Sequence, residues 1–112
     1  MDSELEMILE NRLERAGLPL GVTQHRFVPG RQFRFDRAYP DRMVAVEVQG
    51  GTWSQRGHAR PSMIQRDCLK LSLAAALGWR CLPLTRAMIE DGTAVELIAQ
   101  ALGVGPREGG ER

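Results

Sequence analysis

Lysine is almost missing from this chain: Lys70 stands alone among fifteen basic residues, and the other fourteen are arginines. The guanidinium fork suits bidentate contacts to phosphate, and a GC-rich or heat-adapted source would leave the same bias. Cysteine is scarce too. Cys68 and Cys81 lie within apolar runs and lack metal-ligand spacing, which points to buried free thiols in a reducing compartment. No apolar run approaches the roughly 20 residues of a membrane-spanning helix, and no signal-peptide pattern is present, so the cytoplasm is the expected location. An excess of either charge is missing as well. A net charge of +1 gives no global argument for nucleic acid, so any basic surface has to be local and offset by acid elsewhere.

What is present is the composition of an ordinary globular protein, 43% hydrophobic and 26% charged over 112 residues. That length predicts one domain, residues 1–105, followed by a polar tail over 106–112. Ser3-Glu4-Leu5-Glu6 fits a capping box, and Leu5, Ile8, Leu9 and Leu13 follow at helical spacing until Gly17 and Pro19 end the helix near Ala16. Thr23 to Phe27 reads as a short strand. Gln32–Ala38 and Met43–Gln49 alternate as strands around a Tyr39-Pro40-Asp41-Arg42 turn. Gly50 to Arg60 is a polar, glycine-rich loop. Pro61 and a second capping-box pattern, Ser62-Met63-Ile64-Gln65, open another helix with an expected core stripe of Ile64, Cys68, Leu71 and Ala75, closed by Gly78. Trp79 to Leu84 reads as a strand that Pro83 confines to a sheet edge or bulge, and Thr93 to Leu102 as a last helix. The predicted order is α-β-β-β-α-β-α.

The hairpin carries the chemistry. Asp36 and Glu47 each interrupt an apolar or aromatic strand pattern, and a half-buried carboxylate is costly unless something pairs with it. With the turn centred between Pro40 and Asp41, Asp36 lies opposite Ala45 and diagonal to Glu47; another turn type sets the two acids directly opposite. Either register lets both reach one divalent ion. Oxygen ligands without a Cys or His cluster favour magnesium or manganese over zinc.

Asp36 followed by Glu47-Val48-Gln49 resembles the D…(D/E)-x-K signature of the PD-(D/E)XK nuclease superfamily. Within it the chain looks most like small phage-type endonucleases and archaeal-type Holliday-junction resolvases. The similarity extends over Ser3-Glu4-Leu5-Glu6, Phe33-Arg34-Phe35-Asp36, Val46-Glu47-Val48-Gln49-Gly50-Gly51-Thr52-Trp53, Gly57-His58-Ala59-Arg60, Arg66-Asp67-Cys68-Leu69-Lys70 and Leu77-Gly78-Trp79. The resemblance implies an α/β fold with a restriction-endonuclease-like core around a mixed central sheet. It also implies a magnesium-dependent endonuclease, with manganese as substitute, that cuts branched double-stranded DNA such as a four-way junction as a homodimer. The cytoplasm would then be that of the host if the gene is a phage's.

By the same resemblance, Asp36, Glu47, the Val48 carbonyl and Glu6 would hold the ion. Glu6 is also the third residue of the capping box, and Glu10 reads as a solvated acid. Gln49 stands where the family usually has lysine; its amide can orient water but supplies no charge. Lys70, on the helix after the hairpin, is the candidate to fill that role, against the alternative of an exposed lysine pairing with Asp67 or Glu90. Arg56, His58 and Arg60 in the glycine-rich loop are expected to contact phosphates, with Arg66 on the helix beyond, and Trp53 to stack on an exposed base. Arg34 and Arg37 flank Asp36, one aimed at the DNA backbone and the other paired with Asp41 or Glu47. Candidate dimer surfaces are the second helix around Leu69 and Leu73, and the last strand.

Overall fold

A computed structural model describes residues 3–49 and 61–104. Helix α1 (Ser3–Arg15) precedes strands β1 (Val22–Arg26), β2 (Arg34–Tyr39) and β3 (Val44–Gln49). Helix α2 (Pro61–Ala76), strand β4 (Arg80–Thr85), helix α3 (Arg86–Asp91) and helix α4 (Thr93–Leu102) follow. The sheet runs in the order β1-β2-β3-β4, antiparallel across the first two pairs and parallel between β3 and β4, so the fold is mixed α/β. β4 lies at an edge, where Pro83 lacks an N–H to give a further neighbour. Among the described residues no helix is long and apolar enough to cross a membrane.

Two apolar layers share this sheet. On one face Leu5, Leu9 and Leu13 of α1, Ile89 of α3 and Ile98 and Leu102 of α4 pack against Tyr39, Val44, Val46 and Leu84. Full burial of each such aliphatic side chain stabilises by about 1.5–3 kcal/mol. On the other face α2 lays Ala74 and Leu73 over Ala38, Ala45 and an aromatic group of Phe27, Phe33, Phe35 and Trp79. Phe27 and Phe35 stack with ring centroids 4.0 Å apart. Gly21 lets the chain cross close over β2: a Cβ there would lie 2.5 Å from the Ala38 carbonyl oxygen, at a φ of +70°.

Several expectations change. The element order gains α3, a six-residue helix whose start Thr85 caps by accepting from the Met88 N–H at 3.3 Å and whose end is Gly92 at φ 94°. α2 begins at Pro61, so Ser62 lies inside the helix rather than capping it. Its expected core stripe faces outward: Ile64 is 54% exposed and Leu71 48%, and Cys68 and Ala75 are exposed as well. The buried contact is made by Leu73 and Ala74, because both faces of this helix are apolar and hydrophobicity alone does not choose between them. Cys68 is therefore an exposed free thiol, and Cys81 a half-buried one.

Candidate functional site

The turn sets the site. Pro40–Arg42 form one turn of 3-10 helix, and Met43 follows in the left-handed region at φ 54°, giving a four-residue connection. That pairs Tyr39 with Val44, Ala38 with Ala45 and Arg37 with Val46. The next pair in this register is Asp36 with Glu47, directly opposite rather than diagonal. There the backbone ladder stops and the two side chains replace it. The Asp36 N–H donates to Glu47 Oε2 at 3.1 Å, and the Val48 N–H donates to Asp36 Oδ2 at 2.7 Å. Each carboxylate thus takes a backbone donor that strand divergence would leave unpaired. On the other side of β2, Gln24 faces Asp36 in register but has a φ of 52°, and that pair drops out of the β1–β2 ladder. Strand alternation breaks at the same place: Phe35 joins Ala38 in the aromatic cluster, whereas Arg37 and Tyr39 turn toward α1.

α2 delivers Lys70 to this point. Its Nζ lies 2.6 Å from Glu47 Oε1, with the two side chains 18% and 14% exposed, and 5.9 Å from the centroid of the Phe35 ring. Burial pushes the Glu47 carboxyl above the usual carboxylate range, the Lys70 ammonium pulls it back down, and the Asp36 charge raises it again. Glu6 on α1 is raised first by partial burial and then by Asp36, with Arg37 opposing and Glu47 adding to the rise. The three acids therefore share one field although they come from three elements. Burial also raises the Cys81 thiol, with the Glu47 charge adding to it.

Among the described residues no three His, Cys, Asp or Glu side chains are grouped to hold a metal ion. The donors at hand are the Asp36 and Glu47 carboxylates, each with one oxygen engaged by a backbone N–H. Magnesium commonly takes one or two carboxylates and keeps several waters, so this pair fits such an ion, with Glu6 acting through its charge or through water. Glu47 would have to release Lys70 or share its carboxylate with it.

Gln49 ends β3 beside Thr85, two residues from Glu47 and half-buried. Arg34 and Arg66 are exposed, and Arg66 lies one helical turn before Lys70. Arg37 does not face the DNA side as expected. It is 3% exposed, with its guanidinium donating to the Leu20 carbonyl at 2.6 Å and to Glu10 at 3.1 Å. It fastens α1 to the sheet and has no free face for a phosphate; its partner is Glu10, not Asp41 or Glu47. Trp53, Arg56, His58 and Arg60 lie outside the described residues, as does the 106–112 tail. The Arg37–Glu10 pair was missed by sequence reasoning, since the two are 27 positions apart; the only signal was a charged residue at an inward strand position. No protein-family model, curated protein or solved structure matches this chain.

Proposed function

We propose that this chain is a magnesium-dependent endonuclease of the PD-(D/E)XK kind, built on a restriction-endonuclease-like core and selective for branched DNA such as a four-way junction. The observation that carries the reading is the pair of carboxylates set opposite each other across β2–β3 with one ammonium beside them. Asp36 and Glu47, with the Val48 carbonyl, would hold the ion, which when bound polarises the phosphate and lowers the pKa of a water. The residues of the chain do the rest. Lys70 supplies positive charge to the phosphoryl oxygens, the Gln49 amide orients the attacking water, and Glu6 adds negative field that strengthens cation binding. The attacking water gives a proton to solvent as its oxygen bonds to phosphorus, one P–O bond breaks, and the leaving oxygen takes up a proton from solvent.

Symmetric cutting of a junction requires two sites, hence a two-fold homodimer. The outward stripe of α2 supports one. Ile64, Cys68, Leu71 and Ala75 follow the four-three-four spacing of a helix-pairing seam. In an antiparallel pair Ile64 would meet Ala75 and Cys68 would meet Leu71, large against small. The deciding experiment incubates purified protein with a four-way junction, linear duplex, flaps and mismatched duplex, with magnesium or manganese. Paired symmetric nicks on the junction, lost in Asp36→Asn and Glu47→Gln, are expected. Preference for mismatched or linear duplex would instead mark a nicking or restriction-type enzyme.

The absence of lysine at Gln49 favours a second reading, a DNA-binding module that keeps this architecture without cleavage. Junction binding that persists unchanged in both carboxylate variants, with no cleavage in either metal, would select it.

A further inference from the structure

The turn end of the β1–β2 hairpin concentrates positive charge, and among the described residues no ion pair balances it there. Between Glu14 and Asp36 the sequence holds His25, Arg15, Arg26, Arg31 and Arg34 and not one acid, whereas Glu90, Asp91 and Glu96 gather at the other end of the chain. Arg26 and Arg34 are direct cross-strand partners and both are exposed. Like charges so placed destabilise a hairpin. The Arg26 side chain donates to the Gln32 side chain, at 3.2 Å. Arg31 and Arg66 crowd a second point, their guanidinium carbons 5.9 and 4.9 Å from the centroid of the same Phe33 ring. Among the described residues none of these four arginines is in an ion pair.

The strand pleat separates them into two groups. Phe27, Phe33 and Phe35 share the buried face under α2, so Arg26 and Arg34, at the alternate positions, stand on the opposite face. Arg31 and Arg66 lie on the Phe33 side. A flat membrane surface would meet one basic face of this ribbon and leave the other unmatched. A duplex groove has a phosphate backbone on each wall, and the major groove, about 12 Å wide, admits a two-stranded β-ribbon.

We propose that the β1–β2 hairpin is a duplex-DNA-binding ribbon, with Arg26 and Arg34 on one phosphate backbone and Arg31 and Arg66 on the other. Arg66 is one turn from Lys70, so the second backbone leads toward Glu47; only this last step rests on the nuclease reading. The contacts are charge-based and tolerant of sequence.

The test measures binding of a labelled duplex by anisotropy in EDTA, over a salt series, so that cleavage plays no part. Wild type is expected to bind with a log–log salt slope near −0.9 per phosphate contact. Arg26→Ala/Arg34→Ala should lower affinity at least tenfold and flatten the slope by about 2. Arg31→Ala should flatten it by about 1. Because the double variant removes a repulsion, its melting temperature should be unchanged or higher, which a structural role for these arginines would not give. Affinity and slope unchanged in the folded double variant would overturn the proposal, as would wild-type protein that ignores duplex DNA but binds vesicles of anionic lipid. Binding lost in the arginine variants, in a protein that never cleaves DNA, would leave the ribbon standing and remove the nuclease.

Discussion

Lys70→Met tests both the architecture and the chemistry of the site. The Lys70–Glu47 pair is 2.6 Å long and about one-sixth exposed on each side. A fully buried pair broken by loss of one partner costs about 3–5 kcal/mol, and an exposed one contributes about 0–1 kcal/mol. The intermediate burial here sets the loss at about 2 kcal/mol, or a melting temperature lower by roughly 10 °C in a domain this size. Glu47 then remains desolvated without its counter-charge. Its carboxyl, already raised by burial, should rise further, so the variant should lose less stability near pH 4 than at pH 7. Lys70→Met/Glu47→Gln removes the stranded charge and should recover at least half of the deficit, measured by urea denaturation of metal-free protein. On the proposed chemistry, cleavage by Lys70→Met at saturating magnesium should fall about 10²–10³-fold, the loss typical of one charge-stabilising donor. A Lys70→Met protein with wild-type cleavage would remove Lys70 from the mechanism. A coupling below about 0.5 kcal/mol in the double-mutant cycle would show that the ion pair does not hold α2 to the sheet.

Three further outcomes are expected. Glu6 has its carboxyl raised in the folded state by burial and by Asp36, so its ionisation favours unfolding; the cost is absent below its unfolded value of 4.5 and complete above the folded one. Glu6→Gln should therefore stabilise metal-free protein at pH 7 by up to about 1 kcal/mol and make no difference near pH 3.5, read from melting curves at both pH values. Arg37→Met leaves the Leu20 carbonyl without its charged donor and should cost about 2–3 kcal/mol, while duplex affinity per folded molecule, from titration with labelled DNA, stays that of wild type. Leu71→Glu should abolish any dimer seen by sedimentation equilibrium without unfolding the protein, because the side chain is 48% exposed in the monomer.

Elements with one apolar face were readable from sequence; elements with two were not. Leu5, Leu9 and Leu13 define a single stripe on α1, and all three are fully buried. α2 carries apolar residues on both faces, so the better-spaced stripe reads as the core, whereas the sheet takes Leu73 and Ala74 instead. The hairpin and its two acids were visible from alternation. Their register was not, because it depends on Met43 adopting the left-handed region, which an unbranched non-glycine side chain does not announce. Nor does alternation foresee the break at Asp36, where carboxylate oxygens take over from backbone acceptors. Arg37 and Glu10 illustrate the same limit: a charged residue at an inward position signals a partner, and only the tertiary fold says which.

The single lysine makes sense against this geometry. A strand side chain at Gln49 is fixed by the sheet, whereas one on α2 reaches the carboxylates from the opposite layer and can withdraw along its four-carbon stem. In the metal-free protein an ammonium against Glu47 offsets part of the cost of burying that carboxylate. Arginine would do this less readily, since its broad, planar fork is matched to two aligned acceptors, and one Glu47 oxygen already accepts from the Asp36 N–H. A compact, mobile cation is what the remaining oxygen accommodates. That gives a physical reason for one lysine to persist at residue 70 in a chain that otherwise uses arginine for every basic position.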